Sequence, residues 1–371
     1  MFGTKDIVGL DIGSHSIKLV RLKKGKKGFE LLNFGIIPIP PETIVDGLIE
    51  KPEIVTNAIK NIFKTERIKT KEVVTAISGE SVVIKKINVP KMTEDELAES
   101  IRVEAEQYIP FDIEEVNFDF QIIKESGAEK TEKEETGEEG APKANMDVLL
   151  VAARKELVGG RNKPIIDAGL KPVIVDLDVF AIENGYEFNY GVPVGEVLVL
   201  VNIGASFTNV NILVDGATEY TKDITGGGNR INHELQKNFN IDYDTAEKLK
   251  MGIGLNGTSE KDVANVIISA LGELSHDINK MFHDFIKSTG KNINRVILSG
   301  GCARIHGIEK ILTENFDIPT EIINPYKNIK VNPKVFDPQY IQEMAPVAAI
   351  GVGLAMRRLK DKAKQSSRKF R

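Results

Sequence analysis

One stretch near the N-terminus of this 371-residue chain combines two short strands with a glycine turn. Between Val8 and Lys18 it reads Val-Gly-Leu-Asp-Ile-Gly-Ser-His-Ser-Ile-Lys. The apolar runs on either side of Gly13 and Ser14 predict two strands joined by a tight turn. Gly13 has no Cβ to keep an anion away, and successive backbone N–H groups in such a turn can bind a phosphate. The alternative is a hairpin that carries ordinary polar residues.

Three side chains of this hairpin extend the phosphate-binding interpretation. Asp11 ends the first strand and could hold Mg²⁺ through water molecules. Ser14 and Lys18 could offer a hydroxyl group and a positive charge to phosphate oxygens. The hairpin therefore predicts a magnesium-dependent phosphate site.

A second copy of the pattern lies in the second half of the chain. The stretch Val199 to Val210 reads Val-Leu-Val-Asn-Ile-Gly-Ala-Ser-Phe-Thr-Asn-Val, which aligns Asn202 with Asp11 and Gly204 with the first turn glycine. Two phosphate-type hairpins on one chain predict two lobes that face one nucleotide.

Two further glycine clusters precede predicted helices. Gly226, Gly227 and Gly228 come before a helix expected from about residue 229 to 238. They would leave the helix N–H groups and its positive dipole end open to an anion, or they would only give a flexible helix entry. Gly300 and Gly301 lie between a strand and a helix, where a flat ring or a phosphate could lie against the backbone.

Two pairs of polar residues share helix faces. Glu247 and Lys250 are one turn apart, so they are either a surface ion pair or a pair that holds ribose hydroxyls. His276 and His283 are seven residues apart on a long amphipathic helix, which is not the spacing of metal ligands.

The pattern changes between Ser81 and Arg154 to a strand, a helix and two strands. Thr93 and Glu96 predict a capping box at the start of the helix. We expect either an α+β insertion that only packs or a binding subdomain. Residues 124–145, rich in Glu and Lys, predict a mobile acidic loop.

The end of the inserted helix is the candidate partner-binding patch. Its apolar run consists of Tyr108, Ile109, Pro110 and Phe111. The acidic residues Asp112, Glu114 and Glu115 follow it. Such a patch is either buried core or a groove for a peptide.

Composition limits the class of protein. With 41% hydrophobic and 28% charged residues the chain has the balance of a soluble globular protein. Its net charge of -5 gives no reason to expect nucleic acid or anionic lipid as a partner. The single cysteine, Cys302, excludes an internal disulfide.

No signal peptide is recognisable, and the apolar run Ala345 to Met356 is too short to cross a bilayer. We therefore expect a cytoplasmic protein that reaches a membrane only through a partner.

These patterns predict the following division of the chain. The first lobe comprises residues 1–80 and 155–192, the inserted subdomain 81–154, the second lobe 193–342, a C-terminal helix returning to the first lobe 343–360, and a disordered basic tail 361–371.

The order of the motifs resembles the phosphate 1, phosphate 2 and adenosine motifs of the actin, Hsp70 and sugar-kinase superfamily. The insert, with Glu104-Ala-Glu-Gln-Tyr-Ile-Pro-Phe111 at its centre, narrows this to a resemblance to the PilM family of type IV pilus assembly proteins, which is related to the cell-division protein FtsA. The resemblance implies an α/β, two-lobed actin-like (ribonuclease H-like) ATPase fold with an inserted strand-helix-strand-strand (SHS2) subdomain.

The same resemblance implies a cytoplasmic ATP-binding scaffold, peripheral to the inner membrane, that binds the cytoplasmic N-terminus of the inner-membrane protein PilN. Its implied cofactors are ATP and Mg²⁺, with Asp11 organising the metal through water. The implied ATP-binding residues are Asp11, Gly13, Ser14, Lys18, Gly204, Ala205, Thr208, Gly227, Gly228, Glu247, Lys250, Gly300 and Gly301.

The chain departs from the superfamily at Asn202, where an Asp usually supports Mg²⁺ and the attacking water. An amide supplies neither a negative charge nor a base, so we expect weak or absent hydrolysis, with Asp11 and Asn202 as the catalytic candidates. The alternatives are an FtsA-like filament-forming division protein and a small-molecule kinase. The tail, with Phe370 as its one large apolar residue, argues against a membrane-binding helix of the FtsA kind.

Overall fold

The computed structural model describes residues 7–26, 28–125, 145–254 and 257–357. They form two compact units. The larger unit contains the chain up to Gly79 and again from Gly159, and the smaller one is Glu80–Val158. The predicted acidic loop 124–145 and the basic tail 361–371 lie almost entirely outside the described residues.

The helices and strands follow one another in chain order. Up to residue 79 they are β1 (Val8–Ile12), β2 (Ser16–Gly25), β3 (Gly28–Pro38), β4 (Ile44–Val45), β5 (Leu48–Ile49), α1 (Pro52–Thr65) and β6 (Glu72–Ile77). Next come β7 (Val82–Pro90), α2 (Glu94–Glu106), β8 (Val116–Glu125), β9 (Asn145–Arg154), α3 (Lys155–Asp167), β10 (Lys171–Leu177) and α4 (Asp178–Tyr190). The remainder are β11 (Val197–Ile203), β12 (Phe207–Val214), β13 (Ala217–Thr225), α5 (Gly228–Phe239), α6 (Tyr243–Lys250), α7 (Glu260–Thr289), β14 (Arg295–Ser299), α8 (Ile308–Phe316), β15 (Thr320–Ile322), β16 (Ile329–Lys330), α9 (Pro338–Met344) and α10 (Ala349–Met356).

The larger unit consists of two lobes, each built on one sheet. The first sheet has the strand order β10-β6-β1-β2-β3-β16 and the second has the order β13-β12-β11-β14-β15. In each sheet an antiparallel hairpin, β1–β2 or β11–β12, adjoins a parallel strand. Every residue of β1 and β11 is buried, as expected for central strands covered on both faces. The two predicted hairpins and the duplication are confirmed.

The helices α4 and α10 pack between the two sheets. One apolar cluster joins Ala181 and Ile182 of α4, Leu198 of β11, and Ile350 and Leu354 of α10. The apolar run at residues 345–356 is therefore buried core, which explains its composition. No helix in the described part of the chain has the length and apolar character needed to span a bilayer.

The predicted boundary of the second lobe at residue 342 is wrong. β16 pairs in parallel with β3 of the first sheet, where Ile329 lies opposite Phe29. Ile341 and Met344, on and at the end of α9, pack in the first lobe's cluster with Leu22. A two-residue strand has no periodicity, so the sequence gives no signal for this return.

The smaller unit is a three-stranded antiparallel sheet, ordered β7-β9-β8, covered by α2. The capping box at its helix is confirmed, because the Glu96 N–H donates to Thr93 Oγ1 and the Thr93 N–H donates to Glu96 Oε2. The helix ends at Glu106. Its apolar core, which includes Leu97, Ile101 and Leu150, comes entirely from the insert.

Candidate functional site

The site is an open cavity of about 1100 Å³, including solvent at its mouth, between the two lobes of the larger unit. Small-molecule sites commonly lie in clefts between domains or lobes. The predicted site residues that line it are Asp11, Gly13, Ser14, Lys18, Asn202, Gly204, Ala205, Gly228, Glu247, Lys250, Gly300 and Gly301. The structure thus brings together residues that lie up to 290 positions apart in the chain, from Asp11 to Gly301.

The first hairpin places Asp11 and Lys18 opposite each other on β1 and β2. Lys18 Nζ lies 3.2 Å from Asp11 Oδ2, and both side chains are largely buried. The ammonium group lies against Gly13, where an added Cβ would be 2.9 Å from Nζ. The Gly13 N–H closes the turn by donating to the Ser16 carbonyl (3.1 Å). Gly13 therefore makes room for the Lys18 ammonium group, which places a positive charge at the turn.

The second hairpin has the same turn, closed by the Gly204 N–H donating to the Phe207 carbonyl (2.9 Å). Asn202 lies opposite Asn209 and donates to its Oδ1 (2.8 Å). The Ser299 hydroxyl donates to Asn202 Oδ1 (3.2 Å). Both ends of the Asn202 amide are thus bonded within the protein, which fixes its orientation.

Two predicted ligand residues do not reach the cavity. Thr208 is fully buried, and its hydroxyl donates to the Gly226 carbonyl (2.9 Å). Thr208 alternates with the cavity-lining Phe207 along β12, so its side chain points to the opposite face of the sheet. Gly227 is also absent from the lining residues of the described chain.

The N-terminus of α5 is packed against the second hairpin, so the expectation of free N–H groups there is wrong. The Gly228 N–H donates to the Gly204 carbonyl and the Asn229 N–H donates to the Ala205 carbonyl, both at 2.9 Å. A Cβ on Gly227 would lie 2.4 Å from the Gly204 carbonyl oxygen. Gly227 therefore permits close packing of helix on turn, a role that local sequence cannot distinguish from anion binding.

Gly300 is required where β14 leads into the cavity. Its φ of 91° is in the region that favours glycine, and an added Cβ would lie 2.4 Å from the Ile203 carbonyl oxygen. The following residues, Gly301–Arg304, form a single 3-10 turn. The predicted glycine turn between strand and helix is therefore confirmed.

Glu247 and Lys250 form a buried pair, which excludes the surface alternative. Lys250 Nζ donates to Glu247 Oε2 (2.6 Å), and the lysine side chain is 4% exposed. Asn232 also donates to Glu247 Oε2 (2.7 Å). Burial raises the pKa of Glu247, but Lys250 and Asn232 together hold the pKa below its usual value. A charged carboxylate at the cavity wall can accept hydrogen bonds from hydroxyl groups of a ligand.

Cys302 lies beside this pair. Burial raises the pKa of its thiol to about 11, which makes it an unreactive core residue.

Sequence reasoning missed Asp178, the first residue of α4, which lines the cavity. Its Oδ2 accepts a hydrogen bond from the Ser78 hydroxyl (2.6 Å). Burial, and next the charge of Asp11, raise the pKa of Asp178. A signal did exist, because Asp178 directly follows β10, and ligands of parallel sheets bind at the carboxyl ends of strands.

His15 connects the two hairpins across the cavity. Its Nδ1 lies 3.4 Å from the Tyr243 hydroxyl, which donates to Asn229 Oδ1 (2.9 Å). Asn229 Nδ2 in turn donates to the Ser206 hydroxyl (3.2 Å). Burial lowers the pKa of His15, so the imidazole is neutral at pH 7.

The oxygen donors of the cavity fit a magnesium ion that arrives with a nucleotide. Asp11 and Asp178 both line it. Mg²⁺ usually takes one or two carboxylates, several waters and substrate phosphates. Among the described residues no cluster of three or more His, Cys, Asp or Glu could hold a metal by itself.

The model of the family described as type IV pilus assembly protein PilM matches residues 9–359. The chain belongs to this family. A PilM–PilN type IV pilus biogenesis complex has a chain of 28% identity and a TM-score of 0.82, covering 95% of this chain and 98% of that one. The predicted family and the actin-like fold are confirmed.

More distant relatives share the fold. FtsA of Borreliella burgdorferi is 25% identical over 165 residues, 38% of this chain, and the match spans only 40% of the FtsA length. MreB5 of Spiroplasma citri, solved with AMPPNP, has 15% identity and a TM-score of 0.51 over 98% of both chains.

The predicted partner patch lies in the smaller unit of this PilM family member. Tyr108 is 39% exposed, while Ile109 is 5% exposed and packs in the core. Tyr108 and Ile109 lie just beyond the helix end, where the N–H groups of both donate to the Ala105 carbonyl. The exposure of Tyr108 shows that its side chain leaves the inward face. Pro110 is exposed, and the half-buried Phe111 ring lies 4.3 Å from the Arg154 guanidinium. Of the four predicted patch residues, Ile109 is thus buried in the core, while Tyr108, Pro110 and part of Phe111 are accessible.

Proposed function

We propose that this chain is an actin-like ATP-binding scaffold of type IV pilus assembly, and that it binds the cytoplasmic N-terminus of the inner-membrane protein PilN. The observation that carries the nucleotide part is the cavity in which two matching glycine hairpins face each other. Membership of the PilM family and the likeness to the PilM–PilN complex support the partner. On this proposal the chain works in the cytoplasm and reaches the inner membrane through PilN.

The nucleotide lies with its ribose at the Glu247–Lys250 pair and its adenine against Gly300 and Gly301. Its phosphates meet the Gly13–Ser14 and Gly204–Ala205 turns. Lys18 supplies a charge to the phosphates, and Asp11 holds Mg²⁺ through water. The metal, when bound, neutralises phosphate charge. Gly227 and Thr208 stabilise the packing of α5 on the second hairpin and do not contact the ligand.

Hydrolysis is slow on this proposal, because Asn202 offers an amide where a second carboxylate is expected. Burial raises the pKa of Asp178, so this carboxyl carries less negative charge near neutral pH than an ordinary aspartate and does not replace the missing carboxylate charge. This arrangement favours a protein that holds ATP for long periods over an efficient ATPase or a sugar kinase.

Replacing Lys18 with alanine tests the nucleotide site. We expect Lys18→Ala to weaken AMPPNP binding roughly 10-fold or more, because a charge-assisted hydrogen bond contributes about 1.5–3 kcal/mol. Adenosine binding should be unchanged. Titration calorimetry with Mg²⁺ measures both ligands, and Lys330→Ala, which removes an exposed ion pair with Glu30, is the matched control. Equal losses for AMPPNP and adenosine would remove Lys18 from the phosphate site.

A labelled peptide of the PilN N-terminus tests the partner. We expect binding of a segment of about ten residues at roughly micromolar affinity, a scale of about 8 kcal/mol. Tyr108→Ala should weaken it, whereas Val103→Ala, an exposed apolar residue on α2, should not. Fluorescence anisotropy with and without ATP measures the affinity. No binding by the wild-type chain would contradict the partner proposal but not the nucleotide site.

A further inference from the structure

Arg161 is a buried cation whose hydrogen-bonding capacity is largely unused. It lies on α3, lines the cavity, and is 6% exposed. A guanidinium has five N–H donors, yet Nη1 donates to the Ile12 carbonyl and Nε has no partner. Ion pairs among the described residues do not include Arg161. A buried charge that makes no ion pair is costly, and a bound anion would offset that cost.

The two nearest carboxylates are already engaged. Asp11 pairs with Lys18 at 3.2 Å. Asp178 accepts the Ser78 hydroxyl at 2.6 Å. Burial lowers the pKa of Arg161, and the charges of Asp178 and Asp11 oppose that shift. The two carboxylates favour the charged form of Arg161, but they leave its remaining N–H donors available to a ligand.

Two groups of charged residues line the cavity. The Arg161 guanidinium donates to the carbonyl of Ile12, the residue between Asp11 and the Gly13 turn. Lys250 pairs with Glu247 (2.6 Å), and its Nζ lies against Gly228. His15 of the first hairpin lies 3.4 Å from the Tyr243 hydroxyl on α6, the helix that carries Glu247 and Lys250.

This arrangement orders the parts of a nucleotide. A ribose at the Glu247–Lys250 pair directs the phosphate chain past the two glycine turns toward Arg161. The phosphate farthest from the ribose is then the one that meets the guanidinium. We propose that Arg161 binds the terminal phosphate of a nucleoside triphosphate and makes the site prefer a triphosphate to a diphosphate, an inference that rests on the proposed nucleotide function.

The test compares AMPPNP with ADP in the full-length protein in the presence of Mg²⁺. Arg161→Met keeps an unbranched side-chain stem and removes the guanidinium group with its charge. AMPPNP affinity should fall roughly 10- to 100-fold, the range of one charge-assisted hydrogen bond, and ADP affinity should change less than about 3-fold. Arg161→Lys should restore part of the preference, because it keeps a charge without the planar fork.

Thermal unfolding without nucleotide separates ligand binding from a structural role. Removing a buried charge that makes no ion pair should leave the Tm of Arg161→Met equal to or above that of the wild type. Arg295→Met is the matched control, because Arg295 forms a half-buried pair with Glu196 at 2.7 Å. Loss of this pair in Arg295→Met should lower Tm and leave the preference for AMPPNP over ADP unchanged.

The outcomes distinguish the two proposals. A wild-type chain that binds neither nucleotide overturns the nucleotide function and this inference with it. A wild type that binds both, with a preference for AMPPNP that Arg161→Met leaves intact, overturns the role of Arg161 alone. Equal losses for AMPPNP and ADP also overturn it, since the terminal phosphate is the only group that differs.

Discussion

At the scale of single residues, Asn202 connects the nucleotide cavity to the rest of the second lobe. Its amide donates to Asn209, whose own amide donates to Asp223 Oδ1 (2.7 Å). The other oxygen of Asp223 accepts the Gly79 N–H. The amide thus begins a chain of hydrogen bonds that ends at the last residue before the insert. An aspartate at position 202 could not donate the first of these bonds.

Replacing Asn202 with aspartate should therefore have two opposite effects. A second carboxylate in the cavity should raise the rate of ATP hydrolysis, and loss of the bond to Asn209 should reduce the free energy of unfolding by about 1–3 kcal/mol. Single-turnover hydrolysis with Mg²⁺ and thermal unfolding measure the two effects.

Asn211→Asp is the matched control for Asn202→Asp. Asn211 is buried on the same hairpin and donates to Glu183, but it does not line the cavity. Asn211→Asp should lower the free energy of unfolding without raising the rate of ATP hydrolysis. If Asn202→Asp left turnover unchanged, the missing carboxylate would not be what limits hydrolysis, and closure of the lobes would be the next candidate.

The sequence predicted site residues on turns better than those on helices. Gly13 and Gly204 were predicted because a glycine between two apolar runs has few alternatives. Arg161 was missed, since an arginine between Gly160 and Asn162 on a helix has the same pattern whether it faces solvent or a cavity. Thr208 was assigned to the wrong face, because which face of the hairpin meets the ligand depends on how the lobes pack.

At the scale of elements, hydrophobic periodicity predicted the longer helices and strands. The long amphipathic helix predicted around His276 and His283 is α7, Glu260–Thr289. The strands β4, β5, β15 and β16, of two or three residues each, have too few side chains for a pattern. Their existence depends on tertiary pairing, as the contact of β16 with β3 shows.

The helix α4 carries a titratable contact with the second lobe. Glu183 Oε2 accepts hydrogen bonds from Asn211 of β12 and Thr218 of β13, both at 2.8 Å. Burial raises the pKa of Glu183 to about 7, although these two hydrogen bonds oppose the rise. The native protein therefore keeps a proton on Glu183 at pH values where the unfolded chain has lost it.

Stability should consequently depend on pH through Glu183. Between the usual pKa of 4.5 and about 7, the unfolded state binds fewer protons than the native state, so the free energy of unfolding falls as pH rises. Glu183→Gln cannot titrate and keeps an acceptor for both donors. The free energy of unfolding of Glu183→Gln, relative to that of the wild type, should increase between pH 5 and pH 8 by at most about 3 kcal/mol. Urea unfolding at the two pH values measures the gain, and a difference that is constant with pH would contradict the raised pKa.

At the scale of the whole molecule, the duplicated hairpin predicted two lobes because each copy needs its own sheet to support it. The boundary between the lobes could not be predicted from the sequence, because the residues after β15 return to the first sheet through a strand of only two residues. The insert was recognised because its pattern of strand, helix and two strands interrupts the first lobe.

The insert has the properties of a separable module. Its entry and exit are adjacent, because Val82 lies opposite Ala153 on β7 and β9 and the Arg154 N–H donates to the Ser81 carbonyl (3.1 Å). Residues opposite one another on antiparallel strands have Cα atoms about 4.5–5.5 Å apart, so a short glycine linker can replace the insert without strain. Since the core of the smaller unit comes from the insert alone, its removal takes no side chain from the cores of the two lobes.

Replacing residues 81–153 with such a linker should abolish binding of the PilN peptide and leave AMPPNP affinity within about 3-fold of the wild type, a change smaller than 1 kcal/mol. The physical reason is that Tyr108 and Phe111 leave with the insert, whereas every residue that lines the nucleotide cavity stays. Anisotropy and calorimetry on the same preparation measure the two affinities, and cooperative thermal unfolding serves as the control for folding. A folded deletion protein that still captured the peptide with unchanged affinity would place the peptide site on the lobes. One that bound the peptide poorly and also lost AMPPNP would instead mean that the insert helps to hold the nucleotide cavity in shape.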